Sequence, residues 1–291
     1  MFGSFGKVKE KAVDYVEGKT FETTLRGLSE ASKQGWEGVP HMIPLIEKYL
    51  NIEFEYEQAG SLEFAEMRER LRTEPGVIIA NHPGTFDVPI MLKAAFRRDL
   101  LLWASEHGTK VADTLIGRDH ILQVERTARG NLAQFRQIEK HIHGGGALMF
   151  YPTGGDDGLT FQGDGTTEFE FKHGFSALLR RVLRPTDMVY SFYIDPYDTM
   201  SILGERVNRV VGAASGFSLT ELLNINRLKE KKKIQVREKY STAAEWQQKM
   251  EYGVSELSRS RWLGQKYMEQ FSLTLEDLLV RPPRRKEQPT E

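Results

Sequence analysis

Apolar runs of strand length alternate with stretches of helical period along most of this chain. Val77 to Ala80, Leu100 to Ala104, Ile121 to Val124, Ala147 to Tyr151 and Met188 to Ile194 are short and rich in apolar residues. That is the pattern of strands buried on both faces. Ile52 to Tyr56 alternates apolar and acidic residues, as a strand with one wet face does, and Ile234 to Val236 predicts a further short strand. Between them lie helical patterns. Ser61 to Arg72 has Ser61 as N-cap and Glu63, Glu66 and Glu69 on its wet face. Val88 to Arg98, Lys110 to Ile116, Asn131 to His143 and Gly174 to Val182 follow, the third of these stopped by Gly144, Gly145 and Gly146. Ser241 to about Leu263 reads as one long helix and Leu273 to Leu279 as a short one. Strands alternating with helices in this order predict an α/β fold with a mostly parallel or mixed central sheet flanked by helices.

Ahead of the first strand stands an N-terminal amphipathic helical pair. Phe2, Phe5, Val8, Ala12, Val13 and Val16 recur at near-helical spacing; after a break at Pro40, Met42, Ile43, Leu45, Ile46, Tyr49 and Leu50 face one way. Two readings of this pair stay open: helices packed on the domain, or a platform lying on a membrane surface, where Phe2, Phe5 and Trp36 near lysines suit the headgroup region. The chain divides into N-terminal helices at 1–57, an α/β domain at 58–240, C-terminal helices at 241–280 and a proline-rich, charged, disordered tail at 281–291. Residues 154 to 167, rich in glycine, aspartate and threonine, predict a long loop, and their aspartates lack the alternating spacing of a calcium loop.

Composition removes several functions. With 40 basic and 41 acidic residues the formal charge is −1, so nothing global points to nucleic acid. The chain has no cysteine, which excludes disulfides, thiolate nucleophiles and cysteine-ligated metal sites. No run reaches the roughly 20 apolar residues of a membrane span, and Lys7, Lys9, Glu10 and Lys11 interrupt any signal-peptide core. The expected location is cytoplasmic, peripheral on a membrane. Serine hydrolase chemistry lacks its elbow, since Ser215 has no first glycine in register. The glycine runs match neither phosphate-loop nor dinucleotide spacings, and no metal or cofactor is expected.

Chemistry-bearing residues gather at the ends of predicted strands. Val77 to Ala80 runs into Asn81 and His82, with Asp87 five residues after the histidine. On spacing alone this is either a general base with its orienting carboxylate or a loop-capping histidine beside a helix-capping aspartate. Arg126 and Arg129 follow the third buried strand, and the turn Tyr151-Pro152-Thr153-Gly154 follows the fourth. Lys172 and His173 precede a helix. Sites in open α/β sheets lie where strand ends meet loops, so these places converge on one edge if the sheet is parallel.

Together these segments resemble the glycerol-phosphate and lysophospholipid acyltransferases over residues 76 to 196. Asn81, His82 and Asp87 match that family's Asn-His-x-x-x-x-Asp signature, and Gly117 to Arg129 closes in Arg126-Thr127-Ala128-Arg129 as its second block does. Leu148 to Gly154 matches its apolar strand and proline–glutamate–glycine turn, except that Thr153 stands where the family has glutamate. Phe171-Lys172-His173-Gly174 looks like the lysine–x–glycine element, and Val189 to Pro196 is a looser match to the last signature.

The resemblance implies an O-acyltransferase moving an acyl group from acyl-CoA or acyl-carrier protein to a lipid hydroxyl at a membrane surface. His82 would be the general base and Asp87 its orienter, with Asn81 and Pro152 supporting the turns. Arg126 and Arg129 would grip a phosphate, since a guanidinium fork matches phosphate oxygens, and Lys172 and His173 would add to that pocket. Thr153 and Gly154 would meet the acceptor, with backbone N–H groups near Gly154 or at the helix start after Asp87 facing the oxyanion. A threonine brings no charge where the family has a carboxylate, so the acceptor is expected to differ from glycerol 3-phosphate or to be held differently. A reading of another class is a lipid- or membrane-binding protein that has kept the fold and lost catalysis.

Overall fold

The structure is a computed structural model that describes residues 27, 30–31, 33–81, 87–105, 109, 112–113, 116–124, 128–153, 159–161, 167–195, 231–248 and 255–274. The first amphipathic run (2–16), Ser215 and the tail from Arg281 lie outside these residues, as do most of 110–116 and the residues beyond Thr274.

Among the described residues seven strands form one mixed sheet: β1 (Ile52–Tyr56), β2 (Gly76–Ala80), β3 (Leu100–Ala104), β4 (Ile121–Gln123), β5 (Ala147–Phe150), β8 (Met188–Ile194) and β9 (Lys232–Thr242). Their order is β1-β9-β8-β2-β5-β3-β4. β8, β2, β5, β3 and β4 are mutually parallel; β9 runs antiparallel to β8, and β1 parallel to β9. β1, grouped by the sequence with the N-terminal helices, is therefore hydrogen-bonded into the central sheet.

Apolar side chains of β2 alternate between two cores. Ile78 and Ala80 join a layer built by α1 (Val39–Leu50), α2 (Leu62–Thr73) and α3 (Asp87–Ala95). Val77 and Ile79 join the opposite layer, built by α4 (Ala128–His143), α5 (His173–Arg181), α6 (Ala243–Gln247) and α7 (Glu256–Gln270). The result is a three-layer sandwich, and it explains why the parallel strands read as unbroken apolar runs. On α1, Met42, Ile43 and Ile46 are buried in the first layer, and Pro40 sits in the first turn, where its missing N–H costs nothing. Ser61 caps α2 as its sequence predicts, accepting from the Phe64 N–H at 3.0 Å.

Two expectations are corrected. Residues 241–263 are not one helix. β9 continues to Thr242, because its backbone is paired with β8 as far as Met188–Thr242. Thr242 and Glu245 then form a capping box, so α6 starts at Ala243, and α7 begins separately at Glu256 after a Ser255 N-cap. The glycine-rich segment is not wholly loop either: β6 (Leu159–Phe161) pairs antiparallel with β7 (Thr167–Phe169). Leu273 and Thr274 are not helical.

At the sheet edge where the parallel strands begin, Arg97 acts as a clamp. Only 8% exposed, it donates to Leu71 O (3.1 Å), Glu74 O (2.6 Å) and Gly145 O (2.6 Å), and holds Asp99 with two N–H groups. One guanidinium thus satisfies carbonyls at the end of α2 and in the glycine turn after α4. It also accounts for α3 ending at Ala95 rather than Arg98.

On the α2 face of β9, Glu238 is 3% exposed. Burial raises its carboxyl to about 7, against the weaker pull of the Arg68 guanidinium and of Lys239 and with a small addition from Glu57. Because the folded value lies above the ordinary 4.5, the unfolded chain ionises first as pH rises. Stability from this group is intact below 4.5 and is lost by about 7. Urea unfolding of the wild type and Glu238→Gln at pH 5 and pH 8 measures this. The variant should gain on the wild type at pH 8, relative to pH 5, by on the order of 2–3 kcal/mol.

Candidate active site

The five parallel strands all end on one edge, and β2 ends in the sheet interior between β8 and β5. A buried strand end must find partners for its last polar groups, and Asn81 supplies them. Only 6% exposed, its Nδ2 donates to Ile194 O and its Oδ1 accepts from the Ile194 N–H, both at 2.7 Å. This reciprocal pair ties the end of β2 to the end of β8. The Asn81 N–H donates to the Tyr267 hydroxyl at 3.1 Å, and that hydroxyl donates to Phe192 O. Tyr267 belongs to α7 and is fully buried.

Asp87 opens α3 and is 0% exposed. A carboxylate at a helix N-terminus is favoured by the orphan N–H groups and the helix dipole. Two phenols with buried hydroxyls feel its charge. Burial, and then the Asp87 carboxylate, raises Tyr151 well above the ordinary phenol value. Burial raises Tyr267 likewise, with a smaller contribution from Asp87. Both phenols therefore stay protonated and able to donate. Tyr151 stands one residue beyond the Ile79–Phe150 pair that joins β2 to β5.

The turn after β5 meets the start of α5. Pro152 O accepts from the Lys172 N–H at 2.7 Å, and Phe171 N–H donates to Ser260 O of α7 at 3.1 Å. Lys172 is at the N-cap of α5 with its side chain exposed. Thr153 is completely buried, and its Oγ1 has no hydrogen-bond partner among the described residues. A side chain at Gly174 would press on the Trp103 ring at 3.2 Å, so the first turn of α5 packs directly on β3.

Of the residues singled out in the sequence, Asn81, Asp87, Pro152, Thr153 and Lys172 stand at this one edge. His82, Arg126 and Gly154 lie outside the described residues, and of Arg129 and His173 only the backbone is described. Arg129 is in the first turn of α4, the helix that follows β4, and β4 stands three strands from β2. Tyr267, Ile194 and Tyr151 were not legible as site neighbours. Tyr267 lies 186 residues from Asn81, beyond the end of the helix that periodicity predicts.

The arrangement is that of an open α/β protein with its candidate site at the carboxyl edge of the sheet. Residues 63–196 match the family model described as Acyltransferase. Among solved structures it is similar to the 1-acyl-sn-glycerophosphate (LPA) acyltransferase PlsC from Thermotoga maritima, at 13% identity and a TM-score of 0.43, over 82% of this chain and 83% of that one. No curated protein matches the chain in sequence. Among the described residues no helix is long and apolar enough to cross a membrane.

Asn81→Ala should leave the Ile194 N–H and carbonyl unpaired in a dry setting. The expected cost is about 2–4 kcal/mol, read by urea unfolding; a loss under about 0.5 kcal/mol would contradict the role assigned to this amide.

Proposed function

We propose that this protein is an O-acyltransferase that moves a fatty acyl group from an acyl thioester, acyl-CoA or acyl-carrier protein, to a hydroxyl of a lysophospholipid or related glycerolipid. The observation that carries the reading is the fully buried carboxylate of Asp87 at the start of α3. It lies inside the acyltransferase-matched segment, five residues after a histidine that follows a pinned strand end. The acceptor class follows from the resemblance of the Asn81 to Lys172 segments to the lysophospholipid acyltransferases.

In this mechanism His82 removes the acceptor's hydroxyl proton while the oxygen attacks the thioester carbonyl. The tetrahedral intermediate then collapses, the carbon–sulfur bond breaks, and the imidazolium returns the proton to the thiolate. Asp87 holds the imidazole tautomer and stabilises its charged form. Backbone N–H groups near Gly154 or in the first turn of α3 meet the oxyanion. No enzyme nucleophile is needed, which suits a chain without cysteine, and no cofactor takes part. Arg126 and Arg129 take the acceptor phosphate, with Lys172 and His173 beside them. Thr153 contributes no charge where the family's glutamate stands, so selectivity rests on these cations and on the lipid chain. The protein works as a peripheral enzyme at a membrane surface.

The purified protein, given labelled acyl-CoA and lysophosphatidate, should transfer label at a rate that His82→Ala lowers about 10²–10⁴-fold. Liposome binding that is unchanged by His82→Ala, with no transfer to any lipid acceptor, would instead identify a lipid-binding protein that has lost catalysis. Turnover on lysophosphatidate should exceed that on glycerol 3-phosphate; a strong preference for glycerol 3-phosphate would overturn the role given to Thr153.

A further inference from the structure

The matched acyltransferase segment ends at residue 196, yet a side chain from well beyond it reaches the end of β2. Tyr267, in the last turns of α7, places one hydroxyl between two backbone groups: it accepts from the Asn81 N–H and donates to Phe192 O. Its ring is held by Phe169, Phe171 and Phe271, with centroids at 6.1, 5.5 and 5.2 Å. One turn earlier Gly264 lets α7 lie against β7, where any side chain would collide with Phe169 O. The hydroxyl therefore has little freedom.

Asn81 is consequently held at three atoms, its N–H by Tyr267 and its Oδ1 and Nδ2 by Ile194. Three bonds on one residue fix its backbone and its side chain together, and so fix the direction in which the chain leaves toward residue 82. The same phenol is close enough to Asp87 to feel its charge. Tyr267 is thus linked to both flanks of the five-residue connection, to Asn81 by a bond and to Asp87 electrostatically.

We propose that Tyr267 is a positioning residue for the transfer reaction, acting through Asn81 to hold His82 in register with Asp87. The inference rests on the acyl-transfer reading above. Its physical basis is that a reacting group displaced by about 1 Å can lose 10²-fold in rate. Phenylalanine fills the same space but can neither accept from Asn81 nor donate to Phe192, so Tyr267→Phe removes the tether and keeps the packing.

The test is a double-mutant cycle on the full-length chain, with kcat expressed per folded molecule from circular dichroism and acyl-CoA and lysophosphatidate as substrates. Tyr267→Phe should lower kcat about 10-fold or more and leave both KM values within about twofold. In the His82→Ala background the same substitution should change the residual rate by less than about twofold, because there is no imidazole left to position. If Tyr267→Phe does not fold, Gly264→Ala, which displaces the hydroxyl without deleting it, takes its place in the cycle. An unchanged kcat, or an equal loss in both backgrounds, overturns the positioning role and leaves the acyl-transfer reading standing. A wild-type rate indifferent to His82→Ala overturns that reading, and the positioning role with it.

Discussion

A strand buried on both faces and paired on both sides has to end somewhere, and its last polar groups cannot turn to water. β2 meets this constraint through Asn81, whose amide satisfies the N–H and the carbonyl of Ile194 at once. No apolar residue could do this, and a carboxylate could do only half. The bond pair joins the ends of two neighbouring parallel strands. Everything leaving that edge, the connection toward Asp87 included, starts from a fixed point.

The remaining architecture serves the same edge. Helices lie on both faces of the sheet, and the five parallel strands end on one edge. Arg97 closes the opposite edge by gathering carbonyls from α2 and the turn after α4. α7, within the second layer, packs on β7 where Gly264 admits it and delivers Tyr267 to β2. A segment outside the matched domain thereby becomes part of the support for the site.

Two buried carboxyls show how position decides charge. Asp87 begins a helix, where N–H groups and the dipole favour the anion, and its charge is felt by Tyr151 and Tyr267. Glu238 sits within a strand that offers no such field, and burial raises it to about 7. The first is stabilised as an anion by its helix. The second is a cost carried by the sheet.

Most of the fold was legible because the signals are local. The apolar runs of β2, β5 and β8, the serine cap of α2 and the glycine stop after His143 each depend on residues within a turn or a strand of one another. The resemblance to the acyltransferases was legible for a similar reason, since Asn81, His82, Asp87, Pro152 and Lys172 keep recognisable spacings. What stayed hidden was the length of β9: Ile234 to Val236 alone reads as strand, Ser241 onward reads as helix, and only pairing with β1 and β8 makes Lys232 to Thr242 one strand. The support for the candidate site was illegible altogether. That Asn81 should meet Ile194 and Tyr267, 113 and 186 residues away, is decided by the packing of layers. A hydrogen bond between distant residues leaves no periodicity in either one's surroundings, so tertiary structure alone could join them.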